Sequence, residues 1–308
     1  MKKVLITGAA GNIGSALAYR LAKSGKYLVT GVDNFLTGSP FKLPINLDAF
    51  NFIKADVNNY NDISSIMISN SFDYVFHYAA VVGVKRTLEN PIMVLDDIQG
   101  IRNILDLSKN TGVDRVFFSS SSEVYGEPVE FPQNEATTPL NSRLPYAVVK
   151  NVGESFLRSY HQEYDLDYTI FRFFNTYGPR QSDDFVVTKF LKLAIEGKPI
   201  TIYGDGSQTR TFCFIEDNLD TTWQCLEHGH CINDVMNLGN DQEMSIKELA
   251  KLIISITNSA STIVHLPALK EGDMTRRRPD NSKMRAIINR KLTTLEEGIK
   301  LTIANRMF

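Results

Sequence analysis

Runs of apolar residues alternate with longer segments of helical periodicity along the first half of the chain. Such alternation is typical of βαβ units, which build a parallel sheet. The pattern predicts helices at 12–23, 91–109 and 146–164. The predicted strands lie at 2–7, 27–33, 50–55, 73–77, 113–119 and 167–173. We therefore expect an α/β fold with a Rossmann-type, doubly wound parallel sheet.

The regular alternation ends at Asn175, where shorter elements and turn-rich stretches such as Tyr203–Ser207 follow. This change predicts a smaller C-terminal α+β lobe, with one later segment returning to the first domain through a strand at Val235–Leu238. The predicted ranges are 1–174 with 211–240 for the first domain, and 175–210 with 241–308 for the lobe.

The first strand runs directly into a glycine-rich turn, Gly8-Ala-Ala-Gly11-Asn-Ile-Gly14. Glycine suits a turn that must be tight, must let the backbone approach a pyrophosphate, and must let the next helix pack closely on the strand. The amides at that helix N-terminus would face the phosphates. Strand-to-helix turns often carry glycine for steric reasons alone, so the context of the turn matters.

Asp33 supplies that context, because it ends the second apolar run roughly 20 residues beyond the turn. An acid at this place binds the 2′-hydroxyl of the adenosine ribose. No basic residue follows Asp33 directly, so a 2′-phosphate would be repelled. We therefore predict NAD rather than NADP as the cofactor.

Composition excludes several classes of protein. The hydrophobic fraction of 43% is enough for a sizeable core, and the formal net charge of -2 argues against nucleic acid as the main partner. No apolar run reaches the ~18 residues that a membrane span needs. The N-terminus enters a strand without a signal peptide, so we expect a cytoplasmic protein with no membrane partner.

The cysteines, Cys213, Cys225 and Cys231, fit a reduced compartment without a disulfide framework. Cys225 and Cys231 flank two histidines, His228 and His230, which together could resemble a metal cluster. No second group of ligands exists to close a tetrahedral site. We interpret the segment as a helix end followed by a polar loop, and we predict no metal.

Two polar features mark the expected reaction centre. The strand at 113–119 runs out into Ser119–Gly126, and ligands of open parallel sheets bind beyond the carboxyl ends of the strands. Tyr146 and Lys150 stand four residues apart, which places a phenol and an ammonium on one helix face. A nearby cation stabilises phenolate and thereby lowers the tyrosine pKa toward that of a general base.

Taken together, these motifs resemble the extended short-chain dehydrogenase/reductases, specifically the group of nucleotide-sugar epimerases, dehydratases and decarboxylases. The resemblance covers nearly the whole chain. It also includes the segments Asp56-Val57, Ala79-Ala80, Phe173–Arg180, Tyr203–Phe212 and Arg277–Asp280.

The resemblance implies a set of cofactor contacts and a set of substrate contacts. The implied NAD-binding residues are Gly8, Gly11, Asn12, Ile13, Gly14, Asp33, Asn34, Asp56, Val57, Ala79, Ala80, Tyr146 and Lys150. The expected substrate is a nucleotide-diphosphate sugar of the UDP-sugar class. Its implied contacts are Arg143, Asn175, Tyr203, Gln208, Arg210, Lys270 and Arg277.

The implied chemistry begins with oxidation at carbon 4 of the sugar by NAD, giving a 4-keto intermediate. Tyr146 would take the proton of the sugar hydroxyl, Ser121 would hydrogen-bond that hydroxyl, and Lys150 would hold the nicotinamide ribose. The chain departs from many relatives at Asp97, where they carry asparagine. It also has Lys270 where sugar 4-epimerases often carry arginine. A lysine can bind a phosphate as a point charge but lacks the two-pronged hydrogen bonding of an arginine.

The pair Ser122-Glu123 bears on which reaction follows. A 4-epimerase usually has a small or hydroxyl residue in place of Glu123, and a 4,6-dehydratase has an aspartate in place of Ser122. The pair resembles that of UDP-glucuronate decarboxylases, and Arg143 and Arg277 match cationic residues of such enzymes. The leading hypothesis is therefore a UDP-glucuronate decarboxylase.

Other hypotheses stay open. The loop at 80–91 resembles that of epimerases and lacks the tyrosine of the decarboxylase loop. A UDP-sugar 4-epimerase is therefore the second hypothesis. A 4,6-dehydratase comes third, and a non-catalytic dinucleotide sensor is disfavoured because Tyr146 and Lys150 are both present. Helices near 91–109 and 146–164 could form the face of a homodimer, or could simply contribute to the core.

Overall fold

The computed structural model describes residues 1–127, 129–267 and 276–305. The chain divides into two compact units. The first unit comprises Met1–Val124, Arg143–Arg172 and His228–Met236. The second unit comprises Tyr125–Ser142, Phe173–Glu227 and the described part of Asn237–Phe308. The assignment of a function to each predicted domain stays a prediction.

Strands and α-helices alternate through the sixth strand, except that only a short 3-10 helix, Pro40–Lys42, lies between the second and third strands. The strands are β1 (Lys2–Thr7), β2 (Tyr27–Asp33), β3 (Phe50–Lys54), β4 (Tyr74–His77), β5 (Arg115–Ser121), β6 (Asp167–Phe173), β7 (Thr176–Tyr177), β8 (Ile200–Tyr203), β9 (Thr209–Thr211), β10 (Cys213–Phe214), β11 (Asp234–Leu238), β12 (Glu243–Ser245) and β13 (Ile263–Leu266). The helices are α1 (Asn12–Lys23), α2 (Tyr60–Asn70), α3 (Val84–Glu89), α4 (Pro91–Leu95), α5 (Asp97–Thr111), α6 (Pro145–Tyr164), α7 (Val186–Ile195), α8 (Ile215–His228), α9 (Ile246–Thr257), α10 (Ser282–Ile288) and α11 (Leu295–Ala304).

The first unit is built on a seven-stranded parallel sheet with the order β11-β6-β5-β4-β1-β2-β3. The predicted doubly wound fold is confirmed. Thr7 pairs with Val32 on one side and with His77 on the other, and His77 pairs with Phe118. The strand order reverses between β1 and β4, and ligands of such sheets bind in the crevice at the carboxyl ends of these strands.

A continuous apolar core joins this sheet to the helices that cover it. Leu5 and Val75 of the sheet are fully buried and belong to one cluster with Ile63 of α2, Ile104 of α5 and Leu157 of α6. Burial of an aliphatic side chain of this size contributes about 1.5–3 kcal/mol. The three helices are thereby packed against the sheet.

The helix predicted at 91–109 is in fact two helices, α4 and α5, which are separated at Asp96. The single-helix prediction was wrong because apolar periodicity continues across the break. The sequence does carry a signal for a new helix there, since acidic residues favour the first turn. Strand β5 also extends two residues beyond its predicted end, to Ser121.

The second unit contains short strand pairs and helices. Strand β7 pairs with β10, β9 with β12, and β8 with β13. Helix α9 begins with a complete capping box, in which Ser245 Oγ accepts from the Glu248 amide at 3.2 Å while Glu248 Oε2 accepts from the Ser245 amide at 2.9 Å. Such a cap stabilises a helix by about 0.5–2 kcal/mol.

Candidate active site

The glycine-rich turn after β1 is too crowded for side chains. Gly8 has a φ of 70°, and a Cβ added to it would lie 2.7 Å from the backbone nitrogen of Ala79. A Cβ at Gly14 would overlap the carbonyl oxygen of Gly8. The Gly11 amide donates to that same oxygen at 3.0 Å. Glycine is therefore required for the close approach of β1, α1 and the loop after β4.

Asp33 sits at the carboxyl end of β2 and braces this turn. Its carboxylate accepts hydrogen bonds from the amides of Ala10 at 3.0 Å and Phe35 at 2.7 Å. Burial raises the pKa of Asp33, while these two bonds act in the opposite direction. The Asn34 side chain donates to Asp56 Oδ2 at 3.0 Å. Asp33 and Asp56, two of the predicted NAD contacts, are thus each held by hydrogen bonds from neighbouring residues.

Tyr146 and Lys150 both lie in the first part of α6. The Lys150 ammonium is 5.7 Å from the centre of the Tyr146 ring, 4.9 Å from that of Phe118, and donates to Ser119 Oγ at 3.3 Å. Lys150 is only 2% exposed. Burial lowers the pKa of Lys150 to about 8, against the opposing effect of the Asp97 charge. The predicted phenol and ammonium are therefore neighbours.

Ser121, Ser122 and Glu123 lie at the carboxyl end of β5. Ser121 is the last residue of the strand, and Ser122 and Glu123 begin a short 3-10 turn. The Glu123 amide donates to Ser121 Oγ at 3.2 Å. Ser121 and Ser122 are buried, whereas Glu123 is partly exposed. These residues belong to the same unit as Tyr146 and Lys150.

A buried histidine, which the sequence analysis did not identify, supports the loop after β4. His77 Nδ1 lies 2.9 Å from Thr7 Oγ1. The same Thr7 oxygen accepts from the amides of Tyr78 and Ala79, each at 3.2 Å, so its hydrogen points to the imidazole. Burial, followed by the charge of Lys150, lowers the pKa of His77 to about 3. The ring is therefore neutral and acts as an acceptor.

A buried ion pair, also missed by the sequence analysis, fastens α6 to the sheet. Glu154, one turn beyond Lys150, is completely buried. Its carboxylate accepts from Arg172 Nε at 2.8 Å and Nη2 at 2.7 Å, and from Ser120 Oγ at 2.6 Å. Arg158, which is 44% exposed in its side chain, donates to the same carboxylate at 3.1 Å. The signal available in the sequence was a glutamate four residues after Lys150, at a spacing that places it on the same buried face of the helix.

The predicted substrate contacts of the second unit are partly ordered by their own neighbours. Asn175, with a φ of 32°, donates through Nδ2 to the Thr211 carbonyl at 2.9 Å. Gln208 Nε2 donates to the Tyr203 carbonyl at 3.3 Å. These bonds position the side chains locally, and their role toward a ligand stays a prediction.

The predicted cationic residues differ in exposure. Arg210 and Arg277 of the second unit are buried, and Arg210 Nη1 donates to the Thr209 carbonyl at 2.8 Å. Arg143, in the first unit, is exposed. Lys270 lies outside the described residues.

Comparison with known proteins identifies the family. The sequence model of the NAD dependent epimerase/dehydratase family matches residues 4–239. The chain belongs to the NAD-dependent epimerase/dehydratase family. Its members named below all act on nucleotide sugars, so the resemblance found in the sequence is confirmed.

Three proteins similar to this chain, one decarboxylase and two 4-epimerases, indicate the kind of reaction. A UDP-N-acetyl-alpha-D-glucosaminuronate decarboxylase of Bacillus cytotoxicus is 35% identical over 98% of this chain and 97% of its own length. The UDP-glucose 4-epimerase of Thermotoga maritima, solved with UDP-glucose, has a TM-score of 0.92 at 31% identity and 98% coverage of both chains. A UDP-glucuronic acid 4-epimerase of Bacillus cereus, solved with UDP-glucuronic acid and NAD, has a TM-score of 0.89 at 31% identity and 98% coverage of both chains.

The protein is an NAD-dependent enzyme of nucleotide-sugar modification, and its first unit suits that cofactor. Asn12 Oδ1, in the first residue of α1, is buried and has no hydrogen-bond partner in the part of the chain that the structure describes. Buried acceptors without a partner are uncommon in proteins. The hydroxyl and amide groups of NAD are donors that could satisfy them. The unsatisfied Asn12 acceptor, directly after the glycine-rich turn, therefore fits NAD.

Two further findings concern other kinds of site. Among the described residues, no three His, Cys, Asp or Glu side chains are grouped closely enough to hold a metal ion. Across residues 1–127, 129–267 and 276–305, no helix combines the length and apolar character that crossing a bilayer requires.

Proposed function

We propose that this protein is a UDP-glucuronate decarboxylase. The observation that carries the proposal is the position of the Glu123 carboxylate beside Ser121. The backbone amide of Glu123 donates to Ser121 Oγ at 3.2 Å. An epimerase has no need of an acid two residues beyond the serine that meets the sugar hydroxyl. The decarboxylase from Bacillus cytotoxicus, at 35% identity over nearly the full chain, supports this choice.

In the proposed reaction, Tyr146 removes the proton from the sugar hydroxyl at carbon 4. Bound NAD supplies the hydride acceptor for oxidation of that carbon. The Lys150 ammonium, 5.7 Å from the phenol ring, favours the phenolate form of Tyr146. Ser121 hydrogen-bonds the same sugar oxygen and orients it. Burial of Lys150 excludes water from the cation and strengthens its effect.

Loss of carbon dioxide then follows from the chemistry of the substrate. Oxidation at carbon 4 makes the carbon 6 carboxylate part of a β-keto acid, which decarboxylates readily. Arg143 is exposed and has no hydrogen-bond or ion-pair partner within the residues described, so it is available to a carboxylate. We assign Arg143 to the recognition of that group, and Glu123 to proton movement at the carbon left behind.

A second candidate is a UDP-sugar 4-epimerase, in which the keto sugar rotates and is reduced on its other face. The structural similarity to the epimerases from Thermotoga maritima and Bacillus cereus favours this alternative. The second of these binds a sugar with a carboxylate, so recognition of the acid alone does not distinguish the two reactions.

The deciding experiment measures carbon dioxide released from UDP-glucuronate labelled at carbon 6, with UDP-N-acetylglucosaminuronate as a second substrate. Products are identified by NMR. We expect labelled carbon dioxide and a UDP-pentose. Epimerisation of any UDP-hexose or UDP-hexuronate without gas release would overturn the decarboxylase assignment and leave the family chemistry intact.

Variants test the proposed roles separately. Arg143→Ala should lower kcat/KM for the acidic substrate by about 30-fold or more if its partner is the carboxylate. Arg102→Ala, which removes an arginine that pairs with Asp106 on the surface of α5, is the matched control and should leave kcat/KM unchanged. Glu123→Gln should stop turnover after oxidation, seen as a persistent absorbance of the reduced cofactor. Equal effects of Arg143→Ala and Arg102→Ala would contradict the carboxylate role.

A further inference from the structure

Asp97, the first residue of α5, connects two loops at the carboxyl end of the sheet. Its Oδ2 accepts from the amide of Val81, in the loop after β4, at 2.7 Å. Its Oδ1 accepts from Nδ2 of Asn58, in the loop after β3, at 3.3 Å. These loops contain Ala79-Ala80 and Asp56-Val57, respectively, which are the predicted cofactor contacts. One carboxylate therefore braces both of them.

A second side chain of α5 reinforces the same connection. Asn103 is buried, and its Nδ2 donates to the carbonyl oxygens of Val57 at 2.9 Å and Asn58 at 3.3 Å. Gly100 lies between the two braces, where an added Cβ would overlap the Asn58 side chain. The loop after β3 is therefore held against α5 along almost two helical turns.

The packing of α5 on α6 brings Asp97 to the same region as Lys150. A Cβ at Gly153 of α6 would lie 3.1 Å from Cδ1 of Ile101 of α5, so the two helices approach closely there. Both helices connect parallel strands of one sheet, so they run in the same direction. One turn toward the N-terminus from this contact stand Asp97 on α5 and Lys150 on α6. Each charge acts on the ionisation of the other.

Burial raises the pKa of the Asp97 carboxyl, while the bonds from the Val81 amide and the Asn58 side chain, together with the charge of Lys150, act in the opposite direction. Both of its oxygens face hydrogen-bond donors, so neither needs a proton. Its place in the first turn of a helix also favours negative charge. The other titratable groups around the pair are Asp56 in the loop after β3, neutral His77 on β4, and Tyr146 on α6. Asp97 is the acid that opposes the loss of charge from Lys150.

We propose that Asp97 is a positioning residue of the active site, whose carboxylate braces the loops after β3 and β4 and holds Lys150 as a charged ammonium. The proposal rests on the assignment of Lys150 to the active site and not on which sugar reaction follows. An asparagine could accept the same bond from Val81 but carries no charge. Asp97 therefore combines a bracing role with an electrostatic one, and the two can be separated by experiment.

The sign of the effect follows from the charges. A negative group near an ammonium stabilises its protonated form, so Asp97 raises the pKa of Lys150 against the lowering by burial. Asp97→Asn should consequently lower the Lys150 pKa by about one unit. Lys150 would then lose its charge at a lower pH, and the alkaline limb of the pH profile would move in the same direction.

The primary test is an NMR titration of lysine labelled with carbon-13 at Cε, in the full chain, without substrate. The Lys150 resonance is assigned by its disappearance in Lys150→Arg. Wild type and Asp97→Asn are compared with Asp96→Asn, which neutralises the exposed acid immediately before Asp97. We expect a lower Lys150 pKa in Asp97→Asn only. An unchanged value would overturn the proposal and reduce Asp97 to a neutral brace.

Two further measurements keep the proposal falsifiable if Asp97→Asn folds poorly. By reciprocity, Lys150→Met should raise the pKa of the Asp97 carboxyl, observed with carbon-13 aspartate. With active enzyme, the alkaline limb of kcat/KM against pH should shift downward in Asp97→Asn and not in Asp96→Asn. Two results would contradict the electrostatic role. One is an Asp97 pKa that is unchanged in Lys150→Met, and the other is a change in the maximal kcat/KM of Asp97→Asn without a shift of the alkaline limb.

Discussion

Replacing Arg172 by methionine removes the fully buried partner of Glu154. Arg172 is 1% exposed, and its guanidinium makes two bonds to a carboxylate that has no exposure at all. Removing one member of such a pair leaves an uncompensated charge and typically costs about 3–5 kcal/mol. Ser120 and Arg158 still donate to Glu154 in the variant, so we expect the lower end of that range, about 3 kcal/mol.

The assay is urea denaturation followed by circular dichroism, since urea does not screen charges. Arg158→Met is the matched control, because Arg158 donates to the same carboxylate but from the surface. It should cost no more than about 1 kcal/mol. A loss for Arg172→Met no larger than that of the control would refute the reasoning, and would mean that water reaches Glu154.

The same pair predicts a dependence on pH. Burial tends to raise the pKa of Glu154, but the bonds from Arg172, together with Ser120 and Arg158, bring it below its ordinary value. A carboxyl with a depressed pKa stabilises the fold above its unfolded pKa and loses that contribution as pH falls through the folded value. The difference in the free energy of unfolding between wild type and Arg172→Met should therefore have its full size at pH 7. It should become smaller below about pH 4.

Three other substitutions test the site and its assembly. Tyr146→Phe should lower kcat by roughly 10²–10⁴-fold while NAD still binds, because only a proton acceptor is lost, and near-normal turnover would contradict its role. Asp33→Ala should weaken NAD binding measured by calorimetry, since the amides of Ala10 and Phe35 lose their acceptor, and unchanged affinity would count against it. Ile92 on α4 is 71% exposed, so Ile92→Asp should convert the proposed homodimer to monomer in light scattering, whereas an unchanged mass would exclude that face.

Local patterns were sufficient to predict the elements around the cofactor turn. The bounds of β1, α1, β2 and β6 agree with the predicted 2–7, 12–23, 27–33 and 167–173. Each of these elements has an apolar pattern of its own and is bounded by turn residues, so neighbours close in sequence define it. The Tyr146 and Lys150 pair was predictable for the same reason, because helical spacing alone makes them neighbours.

Features that depend on distant residues could not be read in this way. Strand β5 continues through Ser119, Ser120 and Ser121 because its hydroxyls find buried partners on other elements, and a run of serines otherwise favours a turn. Glu154 looks unfavourable on a buried helix face until Arg172, on the next strand, is known to lie beside it. Tertiary context overrides local preference at these positions.

Three consecutive serines at the end of β5 have the same side chain but make three different kinds of contact. Ser119 accepts from Lys150, Ser120 donates to Glu154, and Ser121 accepts from the Glu123 amide at the proposed reaction centre. Replacing each by alanine deletes the same single oxygen, yet the first would loosen a cation, the second would remove a bond to a buried anion, and the third would disturb chemistry. Three chemically identical side chains in a row therefore differ in what they contribute, and the difference comes from the element that each one contacts.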